Sequence, residues 1–275
     1  MNTTSTPRII VYGDDGSPHS DRAWLWINNQ TWPGFEAHIV SSVRRSDDGA
    51  SDDNPRLDRR PFPSRRHFAE SQLSAVTSFV SSADPCVALV HAPGDLVVVG
   101  PRGRSGLAAL ALGSTAEHLL RKCGRPLVIA ATPEQVTRVV VCIDGSAAAA
   151  DAAAFAGSLP LMDAASDVVV LGVLPSESAD AAARLRTAVA DVVESLGRAS
   201  VRPMVVHGET TAPSAILGVC TELGANLVVA GTKGSSTVRR ALVGSTTWSI
   251  ARSGEITLLA VPPAQDTAAS LPDRD

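Results

Sequence analysis

The chain of 275 residues lacks an excess of positive charge and lacks any long apolar run. Its formal net charge is −4 and it has no sustained basic face, which argues against nucleic acid as a partner. No apolar run approaches the roughly 18 residues of a membrane span, so no membrane contact is predicted. The N-terminal residues MNTTSTPR contain no apolar signal core, and we therefore predict a cytoplasmic protein.

Residues that bind metals or form disulfides are also few. The six histidines show no metal-ligand spacing and are predicted to lie on the surface or in loops, so no metal site is predicted. Four cysteines without CxxC spacing lie mostly in or beside apolar segments, and we expect them to be reduced thiols: Cys86, Cys123, Cys142 and Cys220. Because aromatic residues make up 4% of the chain, the core must consist of Val, Leu, Ile and Ala.

One stretch of 16 residues occurs twice. It is GPRGRSGLAALALGST from Gly100 and GTKGSSTVRRALVGST from Gly231, and each copy follows a short run of Leu, Val and Ala. Both copies have the spacing G-x2-G-x9-G-[ST], and each glycine of the second copy lies 131 positions after its partner. Repetition at a fixed spacing is a much stronger signal than a single pair of glycines.

The repeated stretch has the features of a phosphate-binding loop. An apolar run that ends in glycine is typical of a buried parallel strand, and glycines after it permit a positive φ and the close approach of a ligand. Ser or Thr after the last glycine is expected to be the N-cap of a helix, whose N-terminus attracts anions. Ordinary turn glycines and an ordinary cap would explain one copy, but two matched copies favour a binding site.

These motifs together resemble the universal stress protein family. The spacing is similar to that of the family's nucleotide loop, and the family begins each domain with a strand that ends in Asp-Gly-Ser. This chain has that triplet at Asp15-Gly16-Ser17 and again at Asp144-Gly145-Ser146. The resemblance covers nearly the whole chain as two tandem domains.

Strands and helices alternate along both repeats, which predicts a parallel, doubly wound sheet. We therefore expect an α/β fold of two tandem Rossmann-like domains, each with a five-stranded parallel sheet flanked by helices. The predicted divisions are a flexible N-terminus at 1–7, a first domain at 8–131 with a charged loop at about 44–66, a linker at 132–137, a second domain at 138–263 and a flexible tail at 264–275.

The resemblance implies that each repeat binds an adenine nucleotide, with ATP expected, with or without Mg²⁺. Asp15 and Asp144 would hold the ribose or the adenine edge, and the glycines would surround the phosphates. The predicted residues of the first unit are Gly13, Asp14, Asp15, Ser42, Val99, Gly100, Arg102, Gly103, Gly113, Ser114 and Thr115. Those of the second unit are Ile143, Asp144, Val173, Ala230, Gly231, Lys233, Gly234, Gly244, Ser245, Thr246 and Thr247.

Arg102 and Lys233 hold equivalent loop positions, where a contact with phosphate and a solvated charge are equally open interpretations. Two site positions of the first unit depart from the family pattern. It has Ser42 where the second has Val173, and Ala116 where the second has the hydroxyl of Thr247. We therefore predict that the second unit binds nucleotide more tightly.

The resemblance implies a stress-response regulator or sensor and not an enzyme. Neither a Walker A sequence nor a G-x-S-x-G motif is present, and no residue is an obvious general base, so no catalytic residue is predicted. The alternatives are a slow nucleotide hydrolase that uses the same sites, or a scaffold with an empty first site. The resemblance also implies a homodimer of tandem chains, while the downstream protein partner stays open.

Overall fold

The computed structural model describes residues 6–42, 72–103, 112–174, 178–207, 211–233 and 243–264. The predicted charged loop at 44–66, residues 265–275 of the predicted tail and the site residue Gly234 lie outside these ranges. The domain divisions proposed from the sequence stay predictions.

The described residues of the first half form five strands and three helices. In chain order these are β1 (Arg8–Gly13), α1 (Pro18–Asn28), β2 (Phe35–Ser42), β3 (Val76–Ser81), α2 (Pro85–His91), β4 (Leu96–Val99), α3 (Ser114–Lys122) and β5 (Leu127–Ile129). The inner strands β1, β4 and β5 are rich in Val, Ile or Leu, and each of these helices is followed by a strand, as the alternation predicts.

The described residues of the second half form five strands and five helices. They are β6 (Arg138–Ile143), α4 (Ala147–Gly157), α5 (Leu161–Ala164), β7 (Asp167–Leu174), α6 (Ala179–Leu196), β8 (Val201–His207), α7 (Ala212–Leu223), β9 (Leu227–Gly231), α8 (Ser245–Ser253) and β10 (Thr257–Val261). The short helix α5 is a single turn that follows Pro160. Across the described ranges, none of the helices is both long and apolar enough to cross a membrane.

All ten strands belong to one sheet, in the order β3-β2-β1-β4-β5-β10-β9-β6-β7-β8. Pairs within each half are parallel, which confirms the predicted α/β fold with doubly wound, parallel strands. The two sets of five strands meet where β5 pairs antiparallel with β10, with Val128 opposite Leu259. The expected two sheets are therefore one continuous sheet, because each half offers its fifth strand as an edge to the other.

Helices cover both faces of the middle of the sheet, which explains why inner strands such as β4, β7, β9 and β10 are almost continuously apolar. Successive residues of β6 point to opposite faces, so that Val139 and Val141 pack with α4 and α6 while Val140 packs with α7 and α8. In each half the chain leaves the first strand in one direction and returns to place the fourth on its other side. Ligands of open α/β sheets bind at such a switch point, at the carboxyl ends of the strands.

Candidate functional site

Strand pairing defines which residues of the two halves are equivalent. The registers of β1 with β4 and of β6 with β9 place Asp15 and Asp144 at the same position after the first strand of their half. The registers of β1 with β2 and of β6 with β7 place Ser42 and Val173 at equivalent strand ends, which agrees with their predicted equivalence. The predicted sites therefore lie at the two switch points of the sheet.

The Asp-Gly-Ser turn has the same geometry in both halves. Gly16 has φ of 68° and Gly145 has φ of 81°, a left-handed conformation that favours glycine. The preceding aspartate turns back on the chain, since Asp15 Oδ1 accepts a hydrogen bond of 3.0 Å from Ser17 N. Asp144 Oδ1 accepts the matching bond of 2.9 Å from the backbone N of its own Ser. The turn thus fixes each carboxylate at the carboxyl edge of the sheet.

The glycine loops depend on close packing and not on unusual backbone angles. The predicted positive φ is wrong for the loop glycines that lie within the described ranges. A Cβ added to Gly100 would lie 2.6 Å from His19 O, and one on Gly231 would lie 2.9 Å from Ala148 O. The end of the fourth strand of each half therefore packs directly on the backbone of the first turn of α1 or α4.

Gly103 brings the loop against the turn. A Cβ at this position would lie 2.5 Å from Asp15 Oδ2, so a side chain here would displace the carboxylate from its place beside the loop. The loop then closes on itself through a hydrogen bond of 2.8 Å from Gly113 N to Pro101 O. In the second half, Gly244 N donates the equivalent bond of 2.7 Å to the carbonyl of residue 232.

The helices after the loops begin differently from the prediction. Gly113 and Gly244 are the N-caps of α3 and α8, while Ser114 and Ser245 are already the first helical residues. The reason is that the glycines take the extended conformation of a cap. Neither helix has a side-chain hydrogen bond at its cap among the described residues. The N–H groups of each first turn therefore face the loop without a side-chain cap.

A cavity of about 120 Å³ lies at the switch point of the second half. Ten of the eleven residues predicted for this unit line it, and the eleventh, Gly234, lies outside the described residues. These ten are Ile143, Asp144, Val173, Ala230, Gly231, Lys233, Gly244, Ser245, Thr246 and Thr247. The structure thus gathers carboxylate, ammonium, apolar surface and a helix N-terminus around one space.

Five further lining residues are not among the predicted ones: Cys142, Ala149, Leu171, Ala212 and Ile216. Two signals in the sequence could have found three of them. Leu171 lies two residues before Val173 on the same strand and therefore on the same face. Ala212 and Ile216 are four residues apart on α7, which places them on one face of the helix.

The thiol of Cys142 forms part of the cavity lining and remains neutral. Burial raises the pKa of the Cys142 thiol far above its ordinary value, with smaller contributions from Cys220 and Asp144. Burial also raises the pKa of Cys220 to about 12. Neither sulfur is therefore ionised near neutral pH, and this wall of the cavity carries no thiolate.

The hydroxyl of Thr247 has a structural role. Its Oγ1 donates a hydrogen bond of 2.7 Å to Gly231 O, and the residue is buried. This bond ties α8 to the end of β9, whereas the equivalent Ala116 of the first half makes only apolar contacts on α3. In this geometry the hydroxyl donates its proton to the protein. The hydroxyl of Thr247 therefore no longer supports the prediction that the second unit binds nucleotide more tightly.

The first half fills its switch point with different side chains. Ser42 Oγ donates a hydrogen bond of 2.5 Å to Ala83 O instead of presenting an apolar surface. A Cβ on Gly13 would lie 2.9 Å from Leu89 Cδ1 and 3.1 Å from Val99 Cγ1, so these two side chains cover the end of β1. Asp14 Oδ1 accepts a bond from the backbone of the Asp-Gly-Ser turn, where the second half has the buried Ile143.

The remaining predicted residues of the first half lie around its loop. Arg102 is half-buried, Ser114 is exposed and Thr115 is half-buried. His19, which is predicted as a surface or loop residue, packs on Gly100 instead. Partial burial lowers the pKa of His19 below its ordinary value of 6.5, and the charges of Arg22 and Arg102 lower it further while Asp15 opposes them.

Within the described ranges, no group of three or more His, Cys, Asp or Glu side chains could hold a metal ion.

The fold and the site together define a doubly wound α/β protein with a cavity at the switch point of its second half. The chain belongs to the universal stress protein family, because the model described as "Universal stress protein family" matches residues 88–131 and 135–262. This identification agrees with the resemblance seen in the sequence motifs.

Three individual proteins illustrate what the chain is similar to. Universal stress protein Slr1230 from Synechocystis sp. (strain ATCC 27184 / PCC 6803 / Kazusa) is 31% identical over 171 residues, which cover 60% of this chain and 57% of that protein. A universal stress protein from Archaeoglobus fulgidus DSM 4304 is 19% identical, with a TM-score of 0.63 over 96% of this chain and 100% of its own. A universal stress protein in complex with cAMP is 26% identical over 48% of this chain and 100% of its own, with a TM-score of 0.39.

Proposed function

We propose that this protein binds an adenine nucleotide, with ATP as the main ligand, in the second-half cleft and at the equivalent position of the first half. It would act through the bound nucleotide as a stress-response regulator or sensor. The observation that carries the proposal is the second-half cavity, where an Asp-Gly-Ser turn, a closed glycine loop and the start of α8 meet. A switch point with these features suits a ligand that has both an apolar ring and phosphates.

The lining of the cleft divides into parts that match the parts of a nucleotide. Val173, Ile216 and Ala230 supply apolar surface on which an adenine ring would pack. The N-terminus of α8 and the amine of Lys233 would attract the phosphates. The carboxylate of Asp144, fixed by the turn, would accept hydrogen bonds from ribose hydroxyls. Mg²⁺ would enter with the phosphates and not through a protein site.

We propose a binding role and not catalysis. Phosphoryl transfer needs a positioned water or base together with charge neutralisation. Apart from Asp144 and Lys233, the titratable group that lines the cleft within the described residues is the neutral thiol of Cys142. Turnover of about 1–100 per second, as in a typical kinase, would contradict the proposal, and phosphate release from ATP with Mg²⁺ measures it directly.

Thr246 offers a test that separates binding from folding. It lies half-buried in the first turn of α8 and lines the cleft. A Thr246→Glu substitution places a carboxylate where it stabilises the helix but repels phosphate. We expect this variant to keep its fold and to lose ATP binding in the second half, while the matched neutral Thr246→Gln variant retains most of it.

The measurement is isothermal titration of ATP into wild type and both variants, with urea unfolding to confirm the fold. Mass spectrometry of small molecules released on denaturation identifies what co-purifies with wild type. ATP binding to Thr246→Glu that equals wild type in stoichiometry and affinity would contradict the second-half site. Size-exclusion chromatography with light scattering tests the proposed homodimer.

A further inference from the structure

The strand side of the second-half cavity has two levels. The register of β6 with β7 pairs Cys142 with Leu171 and, continued by two residues, places Asp144 level with Val173. All four residues line the cavity. A strand rises about 3.3 Å per residue, so the pair of Cys142 and Leu171 lies roughly 7 Å further from the carboxyl edge than the other pair.

Helix α7 repeats these two levels on the opposite wall. Ala212 is its first residue, and Ile216 follows one helical turn later, which is a rise of about 6 Å. Because α7 leads into the parallel strand β9, its N-terminus lies at the carboxyl edge of the sheet, where the cavity has its mouth. Ile216 is therefore level with Cys142 and Leu171, and we call these three residues the inner layer.

Cys142 is the residue of the inner layer that keeps most surface free for a ligand. Leu171 and Ile216 are 1% and 3% exposed, whereas Cys142 is half-buried. Burial raises the pKa of its thiol, so the sulfur has no negative charge that would repel a phosphate. A neutral sulfur is polarisable and makes favourable contacts with aromatic rings. The inner layer thus suits a flat aromatic group.

We propose that the second cleft selects nucleotides by the size of the base, with a preference for two-ring purines over one-ring pyrimidines, and that Cys142 determines this preference. A base whose ribose is held at Asp144 meets Val173 at the same level and needs a second ring to reach the inner layer. The inference rests on the proposed function and adds the class of base. Burial of the further ring should favour ATP over CTP about tenfold.

Titration calorimetry measures this preference in a protein whose first site is blocked. Thr115→Glu blocks it at the helix position equivalent to Thr246. The ligands are ATP, CTP, purine riboside triphosphate and tripolyphosphate, at one concentration of Mg²⁺. Purine riboside triphosphate has two rings without the amino group of adenine, so it should bind about as tightly as ATP. Tripolyphosphate has no base and reports on the phosphate contacts alone.

Two substitutions of Cys142 test its role. Cys142→Leu should fill the inner layer, as the side chain of Leu89 fills the place beside Gly13 in the first half. It should weaken ATP to the affinity of CTP and leave CTP and tripolyphosphate unchanged. Cys142→Ser keeps the size of the side chain and is the milder variant. It should weaken ATP about threefold, because the sulfur contact with the inner ring is lost.

Cys220→Ser is the matched control for Cys142→Ser. Cys220 is buried one turn beyond Ile216 on α7, and among the described residues it lies outside the cavity lining. This variant should lower stability without changing the ratio of the CTP to the ATP dissociation constant. Urea unfolding of every variant confirms the fold.

The outcomes separate the two proposals. If the Thr115→Glu protein binds none of the four ligands, the second-half site and this inference both fail. If ATP binds no more tightly than CTP, or purine riboside triphosphate binds as weakly as CTP, the inference alone is overturned. It is also overturned if Cys142→Leu weakens ATP, CTP and tripolyphosphate by the same factor, or if Cys220→Ser changes the ratio as much as Cys142→Ser does.

Discussion

The two halves share a strand order and a loop spacing, yet they fill the switch point differently. In the first half, Gly13 leaves room for the side chain of Leu89. Cys142 stands in the place of Gly13, and Cys220 in that of Leu89 when residues are counted back from β4 and β9. The comparison teaches that the fold preserves the position of the switch point, while a few side chains at the ends of the strands decide the shape and polarity of the space beside it.

The largest expected effect concerns the packing of the loop glycines. Gly100→Ala should lower the free energy of unfolding by about 2–3 kcal/mol, because the new Cβ would meet the rigid backbone of His19 at 2.6 Å. Gly231→Ala should lower the free energy of unfolding by about 1–2 kcal/mol, because its Cβ would lie 2.9 Å from the backbone oxygen of Ala148. Urea unfolding of both variants measures the difference between the halves.

Gly218 is the control for this pair. It lies in the middle of α7 with no atom within 4 Å of an added Cβ, so Gly218→Ala should raise the free energy of unfolding by up to about 1 kcal/mol. If Gly100→Ala and Gly231→Ala lower the free energy of unfolding equally, the two halves accommodate an added Cβ at this position equally well, and the expected difference between them is wrong.

The next effect concerns the apolar wall of the second cleft. Thr115→Glu should block the first site as Thr246→Glu blocks the second, because the two residues hold equivalent positions in α3 and α8. In this background, Val173→Ser should weaken ATP binding about tenfold, because a half-buried apolar side chain that lines the cavity is replaced by a polar one. Titration of ATP measures the change. Unchanged affinity would show that the ligand does not reach the end of β7.

The reciprocal variant sharpens that result. In the Thr246→Glu background, Ser42→Val should tighten ATP binding by less than tenfold, because the substitution also removes the hydrogen bond to Ala83 O. A gain as large as the loss in Val173→Ser would contradict a structural role for the Ser42 hydroxyl.

A smaller effect tests the role of Thr247. Thr247→Ala should lower the free energy of unfolding by about 1 kcal/mol, because it leaves Gly231 O without its hydroxyl donor. We expect the affinity for ATP to change less than about threefold. Unfolding and titration are measured on the same variant, and a large loss of affinity with normal stability would mean that the hydroxyl contacts the ligand.

The smallest effect is a dependence on pH that belongs to the first half. The pKa of His19 lies below 6.5 in the free protein, and a phosphate nearby would raise it by favouring the imidazolium form. Binding would then take up protons, so the affinity of the first site for ATP should increase a few-fold as the pH falls from about 7.5 to about 6.

His19→Ala should abolish this dependence in the Thr246→Glu background. The second half has Ala148 at the same position and provides the internal comparison, because its ATP affinity should vary less with pH. A pH profile that is identical in the two halves would exclude a contribution from His19.

The repeat in the sequence made the strand order and the position of the loops predictable. The reason for each loop glycine was not predictable, because the Cβ of residue 100 or 103 would meet atoms of His19 or Asp15, more than 80 positions away. The helix start was also displaced by one residue, since Gly113 takes the extended cap conformation that was expected of Ser114. Local patterns identify a loop, but tertiary contacts decide which residue performs which task in it.

The joining of the halves was equally hidden from the sequence. β5 has three residues, Leu127–Ile129, and this short apolar sequence does not indicate which other strand will pair with its free edge. The contact of Leu89 with the end of β1 could not be predicted either, because an apolar residue on a short helix is compatible with several positions in the core. Such pairings depend on the shape of the whole sheet.

The antiparallel pair of β5 and β10 has a consequence for the integrity of the chain. Were the peptide cut at Glu134, which is exposed between the halves, each fragment would carry an apolar edge strand with unpaired backbone groups. The intact backbone keeps β5 and β10 close together, which gives each a high effective concentration near the other. The two strands therefore pair within one molecule before either can pair with a strand of a second molecule. The connection between the halves therefore serves as a safeguard against aggregation as well as a covalent link.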